Sequence, residues 1–87
     1  RLDADTPVER RETVIADLER GADGIALHFE GKEVRFPSHA AAEVEACFAA
    51  EGPFRATDLP GELDEEGRLV LLRRLLREGF LRAALSR

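Results

Sequence analysis

Two histidines, one cysteine and a cluster of arginines are the residues of this chain with chemistry to offer. His28-Phe29-Glu30 lies in a segment of strand-like alternation, so His28 and Glu30 project from the same face. Adding His39 gives two histidines and one carboxylate, a set suited to non-haem iron. The competing reading places His28 and Glu30 on the solvated face of a hairpin and His39 just past a helix start. Nothing in the sequence supplies the outer hydrogen-bonding partners that metal-bound histidines need, so no metal site is expected. Cys47 has the spacing of a helical core residue beside Val44 and Phe48. A nucleophilic thiol needs a neighbouring base and a depressed pKa, and neither histidine has a register that supplies one. A buried structural thiol is expected.

The arginines are the stronger lead. Arg73, Arg74 and Arg77, with Arg68 and Arg82 nearby, form the basic concentration of the chain, and Arg35 joins them from the hairpin. Such a helix in a DNA-binding protein can read guanine edges or hold phosphates. Its polar face here lacks Asn, Gln, Ser and Thr, and the chain carries a formal net charge of −5. Nucleic acid is therefore disfavoured. A planar guanidinium is equally suited to carboxylates of a protein or peptide. Arg35, Arg73, Arg74 and Arg77 are the candidate partner-binding residues, and no catalytic, metal or cofactor-binding residue is expected. There is no Gly-rich phosphate loop, no paired cysteine for zinc and no Ser-His-Asp pattern with plausible context.

Arg73, Arg74 and Arg77 must be carried by a helix within Leu63–Leu81. Asp64 can cap its start. Glu65 and Glu66 sit at the positive end of its dipole, and Arg74 and Arg77 near the negative end. Leu69, Leu72 and Leu76, widened by Leu71 and Leu75, make an apolar stripe. Gly79 is placed to end the helix in the left-handed conformation, with Phe80 folding back and a short strand following. Upstream, Ile25 to Phe36 reads as a β-hairpin turning at Glu30-Gly31-Lys32. Ser38 is the expected N-cap of a second helix, from about His39 to Glu51, with Ala40, Val44, Cys47 and Phe48 inward. Thr57 is placed to cap a single turn through Leu59, before Pro60-Gly61 breaks the chain.

The first twelve residues are expected to be a linker and a short helical turn, because Thr6-Pro7-Val8-Glu9 has capping-box form. Thr13–Glu19 stays open between two readings. Val8, Val14, Ile15 and Leu18 fit a helical stripe, whereas the β-branched run Thr13-Val14-Ile15 and the loop Arg20–Gly24 fit a strand and hairpin. The resulting order predicts an α+β winged helix-turn-helix, residues 13–87, with an N-terminal β-hairpin or three-stranded meander.

Composition sets the outer limits. The chain has 87 residues, 44% apolar and 36% charged, enough for one small globular domain. A single Cys precludes an internal disulfide. No apolar run reaches a membrane span and no signal-peptide pattern is visible, so a cytoplasmic setting without membrane partners is expected. The chain begins at Arg1 and contains no Met, which points to a piece of a longer protein.

GIALHFEGKEVRFP, then a helix, then PFRATDLPGELDEEGRLVLLRRLLREGFL resembles the C-terminal winged-helix region of bacterial JmjC-type cupin proteins. The resemblance spans roughly Thr13 to Arg82 and favours the strand reading of Thr13–Glu19. It rests on Phe36-Pro37, Thr57-Asp58-Leu59-Pro60 and Leu75–Leu81. It implies a non-catalytic interaction or packing module of a parent oxygenase using Fe(II) and 2-oxoglutarate. In that family the iron ligands lie in a preceding cupin domain, so no catalytic residue carries over. At lower resolution the chain is similar to PqqD-like leader-peptide recognition domains of ribosomal peptide biosynthesis. That likeness implies peptide binding as an added strand in the cleft between strand and final helix, near Arg73 and Arg77.

Overall fold

Among the described residues, five strands and two α-helices follow in the order β1 (Val8–Arg10), β2 (Ala16–Gly21), β3 (Gly24–Phe29), β4 (Lys32–Pro37), α1 (Ala41–Ala49), α2 (Glu65–Glu78) and β5 (Leu81–Ala83). This computed structural model describes residues 2–84. Arg1 of the expected linker and residues 85–87 of the expected domain lie outside the described residues. The architecture is a small α+β domain with antiparallel sheets.

β2, β3 and β4 form a three-stranded meander in that order. Its inner face contributes Ile25, Leu27, Phe29 and Val34, all buried. The β3–β4 turn has positive φ at both Glu30 and Gly31, which matches the right-handed twist of the flanking strands. The strand reading holds for Ala16–Glu19 and extends to Gly21. The β-branched run that suggested it lies just before the strand. Val14 is buried in the core, while Ile15 is 89% exposed.

The expected helical turn at Thr6–Glu9 is corrected by the structure: Val8–Arg10 is a strand, paired antiparallel with β5. Thr6-Pro7-Val8-Glu9 has the residue types of a helix start, but tertiary pairing overrides that local preference. Val8 also exchanges two hydrogen bonds with Phe54, each 2.8 Å, and its side chain is fully buried. The first twelve residues therefore include part of the core. Arg10 and Arg11 then reach in different directions. Arg10 donates to the Phe48 carbonyl, in the last turn of α1, and lies over the Phe48 and Phe80 rings. Arg11 donates to the Gly79 carbonyl at 2.8 Å, at the end of α2. Each cation meets the negative end of a helix.

α1 is entered through a 3-10 turn, Ser38–Ala40, with Pro37 in the capping position and no side-chain cap. The expected Ser38 cap is thus absent, since that residue is already inside the turn. Ala40, Val44 and Cys47 are buried and Phe48 half-buried. Glu43 is buried as well, at 0% exposure. A second 3-10 turn, Ala56–Asp58, precedes α2. Asp58 rather than Thr57 caps it, accepting from the Arg55 amide at 2.9 Å.

α2 has the expected ends. The Asp64 carboxylate accepts from the Gly67 amide at 2.8 Å. Gly79, at φ 88°, closes the helix with two bonds, Gly79 N–H to the Leu76 carbonyl and Phe80 N–H to the Leu75 carbonyl. That pairing returns Phe80 to the core, where its ring meets Phe29 edge-on at 5.3 Å. The apolar stripe is rotated from the expected phase. Leu71, Leu72 and Leu75 are buried, whereas Leu69 and Leu76 are half-buried flanks. A domain this small covers only the centre of the stripe fully.

Candidate functional site

β4 is an edge strand, and among the described residues it pairs only with β3. The two-residue turn makes Phe29 and Lys32 a hydrogen-bonded pair, and bonding then alternates along the register Leu27–Val34 and Ile25–Phe36. The intervening residues, Glu33 and Arg35, therefore aim their backbone N–H and C=O groups away from the sheet. Pro37 adds a carbonyl but no N–H.

α2 runs beside this edge. At one end Lys32 joins the two elements, donating to the Glu78 carbonyl at 2.7 Å with the Glu78 carboxylate 3.6 Å away. Further along, the Arg74 guanidinium lies 5.9 Å from the Phe36 ring centroid. Between β4, the 3-10 turn and α2 lies a groove of about 450 Å³. Phe36, Ala40, Leu63, Val70 and Leu71 supply its apolar lining, and Arg35, Arg74, Arg77 and His39 its polar lining. Val70 is 55% exposed, an uncovered apolar side chain on the groove wall.

Three of the four candidate arginines thus converge on the groove, and Arg73 does not line it. Their commitments differ. Arg35 pairs with Glu33 two residues before it. Arg74 pairs with Glu78 at 3.3 Å. Arg73 and Arg77 are exposed, and among the described residues neither side chain makes an ion pair or hydrogen bond. Arg68 lies outside the groove and donates to the Ala56 carbonyl at 3.3 Å.

The residues of the possible iron set are dispersed. His28 sits on the outer sheet face, its Nε2 2.9 Å from Glu19 Oε1. Glu30 occupies the turn, and His39 lines the groove. Among the described residues no cluster of three or more His, Cys, Asp or Glu side chains is arranged to hold a metal ion. Cys47 is fully buried. Burial first, and the charge of Glu43 second, push its thiol up to about 12. A thiol so placed is inert as a nucleophile at neutral pH. No described helix is long and apolar enough to cross a membrane.

Glu43 is the residue that sequence reasoning missed. Its Oε2 accepts from the Leu63 amide at 2.8 Å, while its Oε1 is buried without a hydrogen-bond partner among the described residues. Gly61, at φ 107°, lies directly against the carboxylate, and a methyl group there would overlap its carbon and both oxygens. Glu43 thereby ties Leu63, a wall of the groove, to α1. A signal existed in the sequence. Positions 40, 43, 44 and 47 share one helical face, so Glu43 falls on the inward stripe. A scan of protein-family models finds none that matches this sequence, and a search of curated proteins finds no match.

Proposed function

We propose that this domain is a winged-helix protein-interaction module that takes up an extended partner segment as an added strand on β4, beneath α2. The observation that carries the reading is the unpaired edge at Glu33 and Arg35 running beside an apolar groove. A free strand edge supplies main-chain affinity, and a groove beside it receives alternate side chains. The order α1, bridge at Phe54, one-turn helix, α2, β5 supports the winged-helix description. The chain itself performs no chemistry in this reading. In a JmjC-type parent the segment would come from the cupin portion of the same protein. In a leader-recognition system it would be a separate peptide.

Peptides selected from a random display library against the domain provide the test. Binding should slow hydrogen exchange at the Glu33 and Arg35 amides, which face outward. The Val34 and Phe36 amides, already bonded to β3, should change little. Arg35→Pro removes one outward N–H without breaking the β3 ladder, and should abolish binding with the fold retained. Selected peptides that leave the β4 amides unchanged, or that bind Arg35→Pro normally, would overturn the proposal.

A further inference from the structure

The chemistry of the occupant follows from an asymmetry in the groove. The chain has 18 Asp and Glu against 13 Lys and Arg. Yet the groove is lined by Arg35, Arg74, Arg77 and His39 and by no acidic residue. A lining so unlike the rest of the surface marks the charge of what it meets. We infer that the groove takes an acidic extended peptide, with an apolar side chain seated between Phe36 and Val70 and a carboxylate held by Arg77. This rests on the strand-addition reading above and specifies its ligand.

Residue commitments single out Arg77. Arg35 and Arg74 already have carboxylate partners, Glu33 and Glu78, and Arg74 also covers the Phe36 ring. Arg77 lies one turn beyond Arg73 and is exposed at the groove, its side chain without a partner among the described residues, so an incoming carboxylate displaces none of them to reach it. Bidentate geometry makes guanidinium the suitable cation for that contact. Strand alternation shapes the rest. Successive residues of an added strand point to opposite faces, so an apolar residue entering the groove has its neighbours on the solvent side. Residues two away return to the groove side, where Arg77 stands. The expected signature is an acidic residue two positions from Val, Ile, Leu or Phe. A single-stranded nucleic acid would satisfy the charge alone, but the lining offers aliphatic side chains where bases need aromatic platforms.

The test is the sequence of the selected peptides and the response of two charge reversals. Wild-type domain should enrich the acidic-apolar signature, with affinity falling as salt rises. Arg77→Glu should weaken those peptides by about tenfold or more and turn a fresh selection toward basic sequences. Arg73→Glu makes the same change in net charge on the same helix outside the groove, and should alter affinity by less than about twofold. Equal losses in the two variants would overturn the Arg77 contact, since only long-range charge would then be at work. Peptides that protect the β4 amides but show no acidic preference would overturn this inference and leave strand addition standing. Tight binding of an oligonucleotide in place of peptides would overturn both.

Discussion

Gly61→Ala probes the buried carboxylate of Glu43 most directly. At φ 107°, Gly61 holds a backbone conformation that an L side chain adopts only with strain, about 1–3 kcal/mol. Its methyl group would also occupy the space of the Glu43 carboxylate, forcing it off the Leu63 amide. A lost hydrogen bond to a charged group adds about 1.5–3 kcal/mol. The single substitution should therefore cost about 2.5–6 kcal/mol, a large part of the stability of a domain this size. In a Glu43→Ala background the overlap disappears and only the backbone strain remains. Gly61→Ala should then cost about 1–3 kcal/mol, leaving a coupling energy of about 1.5–3 kcal/mol. The chain has no Trp and no Tyr, so urea unfolding is best followed by far-ultraviolet circular dichroism. An identical cost in both backgrounds would refute the packing of Glu43 against Gly61.

Two further outcomes follow from the core. Leu72→Ala, at a fully buried position, should lower unfolding free energy by about 2–5 kcal/mol, and a loss below about 0.5 kcal/mol would contradict the helix phase. Cys47 should resist thiol reagents in the native state and react at the rate of unfolding. Its folded pKa, about 12, is raised above the ordinary value of 9.0, so the unfolded chain releases the proton first as pH rises. That contribution to stability is fully present below about pH 9 and is lost as pH climbs toward 12. A Cys47→Ala variant should lack this alkaline decline, and an unchanged decline would place its cause elsewhere.

What could be read from the sequence divides by how local its cause is. Asp64 and Gly79 mark the ends of α2 because capping depends on neighbours within one turn. The β3–β4 hairpin is legible from Ile25, Leu27 and Phe29, since alternation and a two-residue turn are local too. β1 was hidden because its partners, β5 and Phe54, lie far along the chain while Thr6-Pro7 imitates a helix start. Arg35, Arg74 and Arg77 were identifiable by type, but not their common groove, which needs β4 placed beside α2. Glu43 was passed over because a glutamate in an amphipathic helix is ordinarily solvated. Here the chain at Gly61 and Leu63 lies against its carboxylate, and its exposure falls to 0%.

The union of β1 with β5 carries a consequence for how the molecule acquires its shape. The hairpins and α2 can take form from nearby residues, but the seam joining Val8 to Ala83 closes nearly the whole length of the chain. Such closure is entropically late and slow. During synthesis Phe80 and Leu81 emerge after every other residue of the core, so the interior waits, half assembled, for the strand that completes it. Clipping that strand should leave a hairpin and loose helices rather than a smaller version of the same protein.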